Sequence, residues 1–354
     1  MSLPSGPRLL LLGLAMVAAG ISGGSATFRA GRATLPRAEL LKTIKLRIYG
    51  SSTADFAEYL LESQADGLLK DPRFNANKPT VLYYHGYTEH GDKESVQTVM
   101  SAFIRQAKFN VVFVDWSKVA AEFYVIPLLL VPEVAKLVAK QLDAWHAGRQ
   151  LAIDSLYLVG HSLGGQAAGL TGKNLRNGKV PRVTALDPAL PGFNVKSLTT
   201  NHIAPSDAHF VDVIHTDGGN YGVQYATGDA DFYPNGGRRL QPGCTPNARA
   251  LSDEDFCSHW RSWRFFAESL DPELPPYVGV ECASYDDFAA GKCEDNKKAI
   301  MGFNTPVSTR GSFYLETSDS RPFSKAELGL RSSRAPRRMV ARKMIPRRRF
   351  FWFL

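Results

Sequence analysis

Gly160-His161-Ser162-Leu163-Gly164 sets a serine between glycines, directly after the apolar run Leu156–Gly160 and directly before the small-residue segment Gly165–Gly169. A strand, a sharp turn and a helix in that order present a serine hydroxyl at the end of a sheet. A hydroxyl is a weak nucleophile until a base takes its proton, and the base needs an orienting carboxylate. Asp187 ends the run RVTAL and supplies such a carboxylate. Asp115 ends the run VVFVD but precedes the serine, against the order serine, acid, histidine expected after such a turn. Order leaves His202, His209, His215 and His259 as bases, and spacing alone does not choose among them. His161, inside the turn, is expected to point into packing. His85 sits in the turn Tyr84-His85-Gly86-Tyr87.

The elements that must position these groups read as strands alternating with helices. Val81–Tyr84, Val111–Asp115, Leu156–Gly160, Val183–Leu186 and Val211–Ile214 are short and almost wholly apolar, as suits strands covered on both faces. Between the first two, Val96, Val99, Met100, Phe103 and Ile104 recur at helical spacing. Between the second and third, Val134, Leu137, Val138, Leu142 and Trp145 do the same, with Pro132 expected near the helix start. Alternation of this kind predicts an α/β fold with a mostly parallel sheet between helices. The run Ile126–Val131, bracketed by Pro127 and Pro132, reads as core or a binding surface, and from about Gly218 the pattern reads as loop-rich.

The net charge of +8 over 354 residues is concentrated at one end. Residues 325–354 hold ten Lys and Arg against Glu327, and the first 26 residues hold only Arg8, which leaves −2 for residues 27–324. A near-neutral body gives no reason to expect a nucleic-acid partner. Residues 1–26 read as a secretory signal: Arg8, the apolar stretch Leu9–Gly20, then Gly24-Ser25-Ala26 as a small-residue cleavage site. Secretion suits the even count of cysteines, and proximity favours pairing Cys244 with Cys257 and Cys282 with Cys293. The segment 325–354, ending in Phe350, Phe351, Trp352 and Phe353, reads as a disordered basic tail. It is suited to anionic lipid or polyanionic glycan contact.

YYHGY, VDWS (114–117), GHSLGG, LDPALPGF, DVIHTD, DFYPNGGRRLQPGC and CSHWRSWRFFAES occur in this order over residues 45–324. Together they resemble the animal pancreatic-lipase family. The resemblance implies an α/β-hydrolase fold, with Ser162 as nucleophile, Asp187 as acid and His259 as base. It also implies an oxyanion hole from the backbone N–H groups of Tyr87 and Leu163. The implied reaction is lipid ester hydrolysis through an acyl-enzyme, with no cofactor.

Departures from the family narrow the expectation. Only the twelve residues 245–256 lie between Cys244 and Cys257, where the family carries a lid, and the stretch Asp217–Ala230 also looks shortened. An open, less apolar rim tolerates polar head groups, which resembles the phospholipase A1 branch. Triacylglycerol or galactolipid hydrolysis are the alternatives, as is a non-catalytic lipid carrier of the yolk-protein kind. Residues 325–354 leave no length for the family's C-terminal β-sandwich. Of Thr199, His202, Ala204 and Asp207, where the family binds calcium, only Asp207 is acidic, so no metal is expected.

Overall fold

A computed structural model describes residues 35–193 and 201–333. The expected signal segment, and the basic tail beyond Ser333, lie outside these residues. An eleven-stranded sheet organises the molecule, in the order β10-β9-β11-β8-β7-β6-β5-β3-β4-β1-β2. The strands are β1 (Lys45–Tyr49), β2 (Phe56–Leu60), β3 (Thr80–Tyr84), β4 (Asn110–Asp115), β5 (Leu156–His161), β6 (Arg182–Leu186), β7 (Phe210–Ile214), β8 (Ala230–Pro234), β9 (Tyr277–Glu281), β10 (Lys298–Met301) and β11 (Gly311–Leu315). From β4 through β3, β5, β6, β7 and β8 to β11 every neighbouring pair is parallel, and the flanking strands add antiparallel edges. This is the α/β-hydrolase architecture expected from the sequence.

The helices are α1 (Arg37–Lys42), α2 (Glu94–Gln106), α3 (Ser117–Ala120), α4 (Val125–Ala147), α5 (Leu163–Asn174), α6 (Asp253–Ser269) and α7 (Tyr285–Ala289). Alternate residues of the central strands feed two cores. Leu82, Val112, Val114 and Leu158 pack with α4 and α5 on one face. Val81, Val111, Phe113 and Val159 pack with α2 and α6 on the other. A strand buried on both faces has no polar side to write into its sequence, which is why these runs are continuously apolar.

Two expectations are corrected. Pro132 does not start a helix: α4 runs from Val125 and holds Pro132 in its interior. The pyrrolidine removes one N–H from the helical ladder there, a cost carried by packing of Leu128, Leu130, Val131 and Val134 in the core. The region after Gly218 is loop-rich, as expected, and between its loops it also holds β8, β9, β10, β11 and the seventeen-residue α6. Finally, the packed body extends past residue 324. A 3₁₀ turn at Ala326–Leu330 lies against the sheet, with Leu330 buried and Ser332 Oγ donating to Glu316 Oε1.

Candidate active site

Ser162 stands between β5 and α5 with φ 57° and ψ −122°. That conformation is costly for a residue with a Cβ and is held by the packing around it. The flanking glycines make it achievable. A Cβ on Gly160 would lie 2.0 Å from the Gly164 carbonyl oxygen, and one on Gly164 would lie 2.2 Å from the Tyr84 carbonyl oxygen. Strand, turn and helix therefore meet backbone to backbone. Leu163 is the first residue of α5, so its N–H has no acceptor within the helix.

Asp187 follows β6, is fully buried, and also has a positive φ of 46°. Its Oδ1 accepts from the N–H of Thr216 at 2.8 Å, and the N–H of Asp217 lies 3.1 Å from both oxygens. These donors fix the carboxylate so that Oδ2 meets His259 Nδ1 at 2.6 Å. His259 lies inside α6. Ser252 caps that helix by accepting from the Asp255 N–H, and the Cys244–Cys257 disulfide ties its first turn to the preceding chain. Closing a loop of that length is worth about 3 kcal/mol. Burial lowers the pKa of His259 below its usual value despite the hydrogen bond to Asp187, so the ring is neutral near pH 7 and able to take a proton. Burial and the neighbouring Asp187 push Asp217 up to about 7.

Ser162, His259, Tyr87 and His161 line one cavity of about 280 Å³, walled by aromatic side chains including Tyr124, Tyr221, Phe256 and Trp260. The turn carrying Tyr87 lies against the serine: a Cβ on Gly86 would approach Ser162 Cβ to 3.1 Å. Of the other candidate histidines, His209 is exposed, and His215 and His202 are engaged elsewhere. His215 contacts the Val223 carbonyl through Nδ1 at 2.9 Å and Asp231 through Nε2 at 2.8 Å. His202 Nδ1 contacts the Ile203 carbonyl. Asp115 faces His85, not His259. His85 Nε2 accepts from the Trp116 N–H, so its Nδ1 donates to the Gly86 carbonyl and steadies that turn.

Sequence reasoning missed Glu89. Its Oε2 accepts from the Gly86 N–H at 2.6 Å, and its Oε1 accepts from Ser95 Oγ at 2.5 Å. His161 Nδ1 lies 3.4 Å from Oε2, and the His161 ring lies 4.7 Å from that of His259. Burial pushes the Glu89 carboxyl up, but His161 and these hydrogen bonds outweigh it and hold the group at about 2. His161 is thus buried, as expected, yet it also forms part of the cavity wall. The signal available in the sequence was an acid two residues past HGY.

A family model described as Lipase matches residues 22–323. The chain belongs to the lipase family. This lipase-family chain is 34% identical over 266 residues to Lipase member H-A of Xenopus laevis, covering 75% of the chain and 56% of the relative. It is 35% identical over 273 residues to lipoprotein lipase of Homo sapiens, with 71% and 57% covered. It is 31% identical over 284 residues to pancreatic triacylglycerol lipase of Equus caballus, with 73% and 60% covered. The chain thus matches less than two thirds of the length of each relative. Both disulfides expected from cysteine spacing, Cys244–Cys257 and Cys282–Cys293, are formed.

Proposed function

We propose that this chain is a secreted serine hydrolase of lipid esters, and specifically a phospholipase A1. The observation that carries the reading is the 2.6 Å contact of Asp187 with His259 on the wall of the cavity that also exposes Ser162. In the proposed reaction Ser162 Oγ attacks the sn-1 acyl carbonyl while His259 Nε2 takes its proton. The Asp187 carboxylate holds the ring in the tautomer with Nδ1–H and stabilises the imidazolium that forms. The N–H groups of Leu163 and Tyr87 are assigned to the oxyanion of the tetrahedral intermediate. Collapse breaks the C–O bond to the glycerol, and His259 returns the proton to the departing 2-acyl lysophospholipid. Water, activated by the same histidine, then releases the fatty acid from Ser162.

Leu251 and Asp253 lie where the residue 245–256 connection turns into α6, and both line the cavity with Lys93 and Glu94. A short connection and charged wall residues favour a polar head group over a wholly apolar substrate, and Lys93 is the cation assigned to its phosphate. The aromatic wall suits an acyl chain in either case, so triacylglycerol or galactolipid hydrolysis is the outcome that would replace the reading.

The test is incubation of the protein with vesicles of mixed phospholipid and triacylglycerol, with Ser162→Ala alongside and products identified by mass spectrometry. Fatty acid with 2-acyl lysophospholipid, both lost in Ser162→Ala, is expected. Diacylglycerol without lysophospholipid would replace the phospholipase with a neutral lipase. No serine-dependent product would refute lipid hydrolysis on these substrates and favour a carrier.

A further inference from the structure

The turn from α3 into α4 leaves an apolar edge bare. Phe123 is 77% exposed, Val125 52% and Leu129 51%. Val125 and Leu129 are four residues apart on α4 and share one side of it. Between the first two, Tyr124 turns inward: its hydroxyl donates to the Pro191 carbonyl at 3.0 Å and its ring meets Tyr87 edge-on at 5.2 Å. Tyr124 is thereby part of the wall of the cavity that holds Ser162. Leu251, 53% exposed, lines the same cavity from the connection ahead of α6. Bare apolar side chains therefore stand beside the opening through which a substrate reaches Ser162.

We propose that Phe123, Val125 and Leu129 form a wedge that inserts into the surface of a phospholipid bilayer and seats the cavity mouth on it, an inference that rests on the lipid-ester reading above. Pro127, Leu128 and Leu130 are buried beneath the same turn, so the exposed side chains are carried on a packed helix and present a fixed shape. Clustered bare apolar surface is costly in water and marks an interaction site. The occupant follows from the surroundings. The charges that flank this edge in the chain, Lys118 and Glu122, are of opposite sign. The edge is continuous with a cavity whose proposed substrate is itself held in a bilayer. An aromatic and two aliphatic side chains fit the boundary between head groups and acyl chains, roughly 5–10 Å deep.

The experiment separates docking from chemistry. Binding to vesicles of pure dioleoylphosphatidylcholine is measured by flotation with Ser162→Ala, which leaves the lipid intact. The expected result is binding that persists at high salt, because insertion of apolar groups is not screened. Adding Phe123→Ser, Val125→Ser and Leu129→Ser together is expected to weaken binding by about tenfold or more. With Ser162 restored, the triple variant is expected to hydrolyse a soluble short-chain ester like the parent and to lose hydrolysis of the vesicles. That soluble activity also reports its folding. Phe123→Cys carrying an environment-sensitive fluorophore supplies an independent reading, since the four native cysteines are paired. Its emission is expected to shift to the blue on vesicle addition. No vesicle binding by the Ser162→Ala protein, undiminished binding by the triple variant, or unchanged emission would overturn the wedge. Absence of Ser162-dependent hydrolysis of the soluble ester would instead overturn the hydrolase reading, and the binding measurements would still decide the wedge.

Discussion

Two buried histidine–aspartate pairs sit at the ends of neighbouring strands, and they differ in what the second ring nitrogen faces. In His259–Asp187 the carboxylate takes Nδ1 at 2.6 Å, and the ring lies on the cavity wall with Ser162. In His215–Asp231 the carboxylate takes Nε2 at 2.8 Å while Nδ1 meets the Val223 carbonyl at 2.9 Å. Both nitrogens of His215 are spent on the protein, and its ring stacks on Tyr233 at 4.5 Å. The lesson is that a carboxylate–imidazole hydrogen bond does not by itself make a base. A base also needs a free nitrogen beside a nucleophile, and His215 has neither.

The largest expected effects break or keep that comparison directly. His259→Ala should lower ester hydrolysis by on the order of 10⁴- to 10⁶-fold, with thermal unfolding close to the parent. His215→Ala should spare the chemistry but cost about 1–3 kcal/mol in urea unfolding, because it removes the buried ring that bonds the Val223 carbonyl and strips Asp231 of one partner, leaving it the N–H groups of Thr227 and Gly228. A His215→Ala protein that folds normally and is inactive would erase the distinction. Next, Asp187→Asn should reduce kcat by about 10⁴-fold by losing the tautomer control that the carboxylate imposes.

A smaller effect sharpens the picture of what surrounds the His259–Asp187 pair. Glu89→Gln should lower kcat by roughly 10- to 100-fold with KM little changed, because Glu89 orders the turn that carries Tyr87. Its pH profile separates a positioning role from general destabilisation. His259 becomes inactive when protonated, and its pKa lies below 6.5, so the acid limb of kcat/KM in the parent should fall below pH 6.5. Burial lowers the His259 pKa, and the Glu89 carboxylate raises it in part, so Glu89→Gln should move that limb to lower pH, whereas a purely structural loss would scale the profile without shifting it. The smallest expected effect is that of Lys93→Gln, a few-fold loss on phospholipid relative to a neutral ester, read from competition between the two.

Ser162 and Asp187 were legible because each is written into a local pattern: a strand, then a residue at its carboxyl end, with glycines where backbones touch. His259 was not legible in that way. It is 72 residues from Asp187 and sits within a helix whose other residues serve the core, and spacing left it equal to three other histidines. Only the likeness of the surrounding CSHWRS segment singled it out. Glu89 escaped for a related reason: its importance depends on Ser95 and His161, which folding brings to it. The strands after Gly218 were missed because β8 ends in Pro234 and β9 pairs with partners that follow it in the chain, so their burial is set by neighbours and not by local periodicity.

By itself the sequence determined the parallel central strands, the serine turn, the acid after β6 and the disulfide spacing, since each follows from local sterics, periodicity or chain proximity. Tertiary structure decided which histidine is paired with Asp187 and which with Asp231, and that Glu89 braces the turn beside Ser162. It also decided that the apolar run at α4 is split into a buried side and a bare one. The physical reason is common to all three. Hydrogen bonds and burial are properties of pairs of groups in space, and the partners here are joined by packing across strands and helices instead of by distance along the chain.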